Sequence, residues 1–147
     1  MGIANNEINF NSIIKNLGNS CLTEERCNTC NKEKCLIGYS KKCINGCFKN
    51  DVTYVESGFE NIPSIDTKIY EQQDIIAGIS DILKQCRSCK ENHYDNCIIN
   101  VLRSCYEIIL FGEHQEYSGS ALVYLNKIKD INEEIGDKIF QQYMSIR

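Results

Sequence analysis

The stretch Ile75-Ile76-Ala77-Gly78-Ile79-Ser80-Asp81-Ile82-Leu83-Lys84-Gln85-Cys86 decides the fold class. Its apolar residues fall at Ile75, Ile76, Ile79, Ile82, Leu83 and Cys86. That is one stripe along a helix of 3.6 residues per turn, not the alternation of a strand. A helix with such a stripe must bury it against other elements.

The same period recurs on both sides. Ile98, Leu102, Cys105 and Ile109 form a second stripe that stops at Gly112. Ser118 or Ser120 is placed to cap a third helix carrying Leu122, Leu125 and Ile128. Asn132 caps a fourth, with Ile135, Ile139, Tyr143 and Ile146 on its apolar face. Upstream, Phe10, Ile13, Ile14 and Leu17 predict a short amphipathic helix, with Gly18 as its stop. Lys34 to Ile44 reads as another short helix. Val52-Thr53-Tyr54-Val55 reads as a strand, pairing with Cys47-Phe48-Lys49 across an Asn50-Asp51 turn. The expected fold is therefore mainly α. A Cys-rich, irregular N-terminal module (residues 1–65), with a small β-hairpin, precedes about four amphipathic helices (residues 66–147).

Between these helices lies the unusual chemistry. The chain has 10 Cys in 147 residues. Six lie between Cys21 and Cys47 and four between Cys86 and Cys105, and each group contains a C-x-x-C pair, Cys27/Cys30 and Cys86/Cys89. Two sulfurs at that spacing can reach one ion, and a tetrahedral site then needs two more ligands.

Helix geometry chooses among the remaining thiols. Cys97 and Cys105 are eight residues apart, roughly 12 Å along one helix, too far to share a zinc ion. Cys105 also sits on the apolar stripe and reads as a small buried hydrophobe. His93 is the better ligand, and Cys86, Cys89, His93 and Cys97 form one candidate set around a break near residues 90–96. Cys97 would then open a helix, where the N-terminus favours a thiolate. The first set is Cys21, Cys27, Cys30 and Cys35, with Cys43 and Cys47 in reserve. Zinc is the first choice of metal and a 4Fe-4S cluster the alternative, since both accept four thiolates.

The rest of the sequence narrows the function by exclusion. No Walker or G-x-G-x-x-G loop occurs. With 2 His in the chain, a hydrolase built on several His ligands is excluded. Glu113-His114-Gln115-Glu116 reads as a solvated loop. No signal-peptide core and no run of about 18 apolar residues is found, so the expectation is a cytoplasmic chain with reduced thiols. The first fifty residues carry seven Lys/Arg against four Asp/Glu, and the remainder nine against sixteen. Lys32, Lys34, Lys41 and Lys42 then serve to offset thiolate charge around a metal. Nucleic acid comes second to a protein as the partner, and a membrane is not expected. The sequence points to a small, non-enzymatic, metal-binding accessory or regulatory protein. Its alternatives are an iron–sulfur protein for redox sensing or electron transfer, and an assembly protein cross-linked by disulfides.

Overall fold

A computed structural model describes residues 9–20, 35–50, 52, 54–63, 66, 70–86, 97–115 and 121–146. Among these, six helices occur: α1 (Phe10–Ser20), α2 (Leu36–Asn50), α3 (Gln72–Cys86), α4 (Ile98–Phe111), α5 (Ala121–Ile131) and α6 (Glu133–Ser145).

Helix α3 is central because its stripe is wide. Ile75, Ile79, Ile82 and Leu83 are each at most 1% exposed. Burying each such side chain contributes at most about 1.5–3 kcal/mol. One side of α3 packs on α1 and α4, and α2 closes a four-helix ring by touching α1 and α4. The α5–α6 hairpin packs on α3 mainly through α6. Gly78 lets α3 approach α4, because a Cβ there would run into the Tyr106 ring.

Polar bonds fix the direction of α1. The Ser12 hydroxyl and the Asn16 amide donate to Asp81 Oδ2 at 2.7 and 3.2 Å. The Asn9 backbone N–H donates to Gln85 Oε1 at 2.8 Å. The start of α1 therefore lies beside the end of α3. Phe10 also meets Phe48, near the end of α2, with ring centroids 5.6 Å apart. These contacts bring the start of α1 and the ends of α2 and α3 to one end of the ring.

Several expected elements change. The helix α1 runs through Gly18 to Ser20. Gly18 costs roughly 1 kcal/mol in a helix interior, and the burial of Leu17 and Ser20 on either side of it outweighs that. The β-hairpin does not form: Cys47, Phe48, Lys49 and Asn50 are the last turn of α2. Burial of Cys43, Ile44 and Cys47 continues the helical period past Ile44, and tertiary packing overrides a weak strand signal. Instead of a hairpin, Tyr54 makes a single antiparallel bridge with Cys97. The irregular N-terminal module is likewise replaced, in its described parts, largely by α1 and α2. Ser118 and Ser120 lie outside the described residues. Leu122 does not face the core; it is 60% exposed.

The four helices expected after residue 66 are present, with two of their ends as read. Gly112 closes α4 in the left-handed region, at φ 85°, and its N–H donates to Ile108 O. Asn132 caps α6, its Oδ1 accepting from Ile135 N at 3.1 Å.

Inside α4 lies a buried ion pair that the stripe conceals. Arg103 Nε donates to Glu107 Oε2 at 3.1 Å, with the two side chains 2% and 0% exposed. Asn100 Oδ1 accepts from Arg103 Nη2 at 2.6 Å, and Tyr124 of α5 donates to Glu107 Oε2. The pair also holds both backbone groups of Gln115: its N–H donates to Glu107 Oε1 at 2.8 Å, and its carbonyl accepts from Arg103 at 3.3 Å. The stretch expected to be solvated is thus anchored at Gln115, while Glu113 and His114 remain exposed. His114 packs edge-on against Phe59. No helix among the described residues is long and apolar enough to cross a membrane.

Candidate thiol site

Of the eight expected ligands, Cys21, Cys27, Cys30, Cys89 and His93 lie outside the described residues. Cys86 is described as the last residue of α3. Cys35 and Cys97 can be placed fully.

Cys35 immediately precedes α2 and is half-buried. Its sulfur accepts the Gly38 N–H at 3.4 Å, close to the bond an N-cap side chain makes. Tyr70 donates to Asp66 Oδ2 at 2.6 Å, leaving the Cys35 thiol to donate to Tyr70 Oη across 3.0 Å. Asp66 Oδ2 also accepts Leu36 N–H at 2.8 Å. Cys35 is thus tied into the start of α2. Burial, together with Asp66 and Cys35, pushes the Tyr70 hydroxyl far above its ordinary range.

Cys97 opens α4, as its position in the sequence suggested, and is 4% exposed. Its side chain makes no cap bond, while its carbonyl accepts Val101 N–H at 3.0 Å. Through the bridge to Tyr54 it sits close to Cys47, whose thiol donates to Tyr54 O at 3.4 Å.

The two reserve cysteines occupy the most suggestive place. Cys43 and Cys47 are one helical turn apart on α2, so they share a face. Both are buried, and both line a cavity of about 340 Å³ with Tyr39, Val52, Tyr54 and Asn61. Tyr39 lies in hydrogen-bond contact with Cys43 and donates to Gly58 O at 2.5 Å. A second cleft, about 430 Å³, lies between α3 and α6. Its lining is four Gln side chains with Ile76, Lys138 and Ser145, and it holds no Cys or His.

The described thiols sense one another along the seam between α2 and α4. Burial pushes the Cys47 thiol up to about 12, with Cys43 and then Cys97 adding to it. Burial likewise lifts Cys105 to about 12; the Ser40 hydroxyl opposes this, and Cys43, Glu107 and Cys35 reinforce it. Cys43 is raised by burial and partly drawn back by Tyr39 and Lys42. At neutral pH these three are thiols, not thiolates, and so poor nucleophiles. The Cys105 side chain is fully buried, as its place on the stripe predicted.

The described cysteines Cys35, Cys43, Cys47, Cys97 and Cys105 are all unbridged. Among the described residues, no three Cys, His, Asp or Glu side chains are grouped as a metal would need. The i, i+4 spacing of Cys43 and Cys47 was visible in the sequence. Its meaning was not, because the cavity is also walled by Val52, Tyr54, Val55, Glu56 and Asn61, which no local period connects to α2. No family model, no curated protein and no solved structure matches this chain.

Proposed function

We propose that this chain is a small, non-enzymatic metal-binding protein, with Cys86, Cys89, His93 and Cys97 as one ligand set and Cys21, Cys27, Cys30 and Cys35 as the other. Zinc is the metal that suits a three-thiolate, one-imidazole set. The observation that carries the reading is the place of Cys97. It starts α4 beside Cys47, at the ring end where α3 finishes with Cys86. The segment between Cys86 and Cys97 holds Cys89 and His93, so one short stretch supplies the set.

Protonated thiols at Cys43, Cys47 and Cys105 support a binding role over a catalytic one. A thiol enzyme needs a depressed pKa, whereas a metal displaces the proton itself. The helical body, with its closed apolar core, would act as a scaffold that presents the loaded site to a protein partner.

The test is metal analysis of anaerobically purified protein, with Cys30→Ser and Cys97→Ser variants. Each variant is expected to lose one metal ion relative to the unmodified chain. A colourless preparation points to zinc, and visible absorption points to a cluster. Unchanged metal content in both variants would overturn the assignment.

A further inference from the structure

We infer that Cys43 and Cys47 form a separate two-coordinate site for a soft monovalent ion, Cu(I), inside the cavity that α2 lines with Val52, Tyr54, Val55, Glu56 and Asn61. The inference does not depend on the zinc sites proposed above, since none of those ligands is used.

Residues four apart on a helix place their Cβ atoms about 5–6 Å from each other. Two metal–sulfur bonds of about 2.3 Å, the length thiolates make to zinc, span about 4.6 Å when set in line. A pair of cysteines one turn apart can therefore clasp an ion between their sulfurs by side-chain rotation alone. A disulfide is less suited, because it needs Cβ atoms about 3.5–4.5 Å apart.

The ligand count then selects the ion. Thiolates favour soft ions. Zinc requires four ligands, and the described residues offer no group of three. Cu(I) is satisfied by two sulfurs in line. Both cysteines line the same cavity, about 340 Å³ in volume, which has room for an ion and the shift of two side chains. The cavity walls add Tyr39, Lys42 and Glu56. Cys43 and Cys47 are the two cysteines that line the cavity.

Charge is balanced locally. Two thiols and one Cu(I) give a bis-thiolate complex of charge −1 and release two protons to solvent, with no change of oxidation state. Lys42 is close enough to favour charge on Cys43, and it lines the same cavity. The Tyr54 carbonyl, which accepts from Cys47 at 3.4 Å, gives up that bond when the sulfur turns to the ion.

The test uses the full chain, reduced and anaerobic, titrated with Cu(I) buffered by bicinchoninate. Cys43→Ser and Cys47→Ser are each expected to hold one Cu(I) fewer than the unmodified chain, because a two-ligand site does not survive the loss of either ligand. Cys105→Ala is expected to hold the full number. Zinc content is expected to stay unchanged in the Cys43 and Cys47 variants, which separates this site from the zinc sites. Far-UV circular dichroism confirms that each variant is folded. Full Cu(I) content in both serine variants would overturn the inference. A second reading needs no variant: one equivalent of Cu(I) added to the unmodified chain should slow alkylation of Cys43 and Cys47 together, at least about tenfold, as mapped by peptide mass spectrometry. Equal alkylation with and without the ion would also overturn it.

Discussion

Replacing Arg103 by Met tests the most consequential interaction in the helical body. The Arg103 and Glu107 side chains are 2% and 0% exposed. Removing the guanidinium leaves the Glu107 carboxylate buried with the Gln115 N–H and the Tyr124 hydroxyl as donors but no paired cation. Asn100 Oδ1 and the Gln115 carbonyl each lose a donor as well. Breaking a buried pair in this way costs about 3–5 kcal/mol. A domain is stable by only about 5–15 kcal/mol, so the variant should lose a large share of its stability. Arg103→Met/Glu107→Leu removes both charges and should be more stable than Arg103→Met alone. It will not recover fully, because the Gln115 N–H then loses the Glu107 carboxylate as its acceptor, at about 1–3 kcal/mol for a buried unsatisfied group. The assay is urea unfolding followed by far-UV circular dichroism, since the chain has no tryptophan. A loss below about 1 kcal/mol for Arg103→Met, the range of an exposed pair, would refute the reasoning. So would a double variant less stable than the single one.

Three further outcomes are expected. Gly136→Ala should destabilise the α5–α6 hairpin by about 1–3 kcal/mol, because its Cβ would lie 2.8 Å from the Lys129 Cα and 2.9 Å from its backbone N; a thermal melt unchanged from the unmodified chain would count against this close approach. Asp81→Ala removes the acceptor for Ser12, Asn16 and Gln85, so limited proteolysis should cut within α1 faster while the C-terminal helices stay protected. Stability should also fall in alkali. Cys47 and Cys105 rise from an ordinary 9.0 to about 12 in the folded chain, so above pH 9 the unfolded chain loses these protons first. Their contribution is complete below about pH 9 and lost as pH rises toward 12. A urea midpoint that does not move between pH 8 and pH 10.5 would contradict it.

How far the sequence carried depended on whether a feature was local. The stripe of α3 was legible because Ile75, Ile79, Ile82 and Leu83 repeat at the helix period, and all four are buried. Asn132 and Gly112 were legible because a cap acts within a few residues of itself. Of the cysteines, two positions were legible: Cys97 opens α4, and Cys105 lies in the core. The fate of Cys47-Phe48-Lys49 was not. Whether those residues continue a helix or turn back as a strand depends on what faces them, and Ile44 and Cys47 are buried in the seam where α2 packs on α4.

The burial of Arg103 and Glu107 was not legible for a similar reason. Arg103 and Glu107 look like the polar face of an amphipathic helix, and an i, i+4 pair on a surface contributes only about 0.3–0.5 kcal/mol. They are buried because Gln115 and Tyr124, eight and seventeen residues beyond Glu107, supply their remaining partners.

By itself, then, the sequence determined the helical class, the four C-terminal helices, two helix ends and the helical spacing of the cysteines. Each follows from periodicity or from hydrogen bonds made within a turn. Only the tertiary structure decided the extent of α2, the burial of the Arg103–Glu107 pair and the convergence of Cys43 and Cys47 on one cavity. Those depend on which surfaces meet across the bundle, and that is set by packing between segments far apart in the chain.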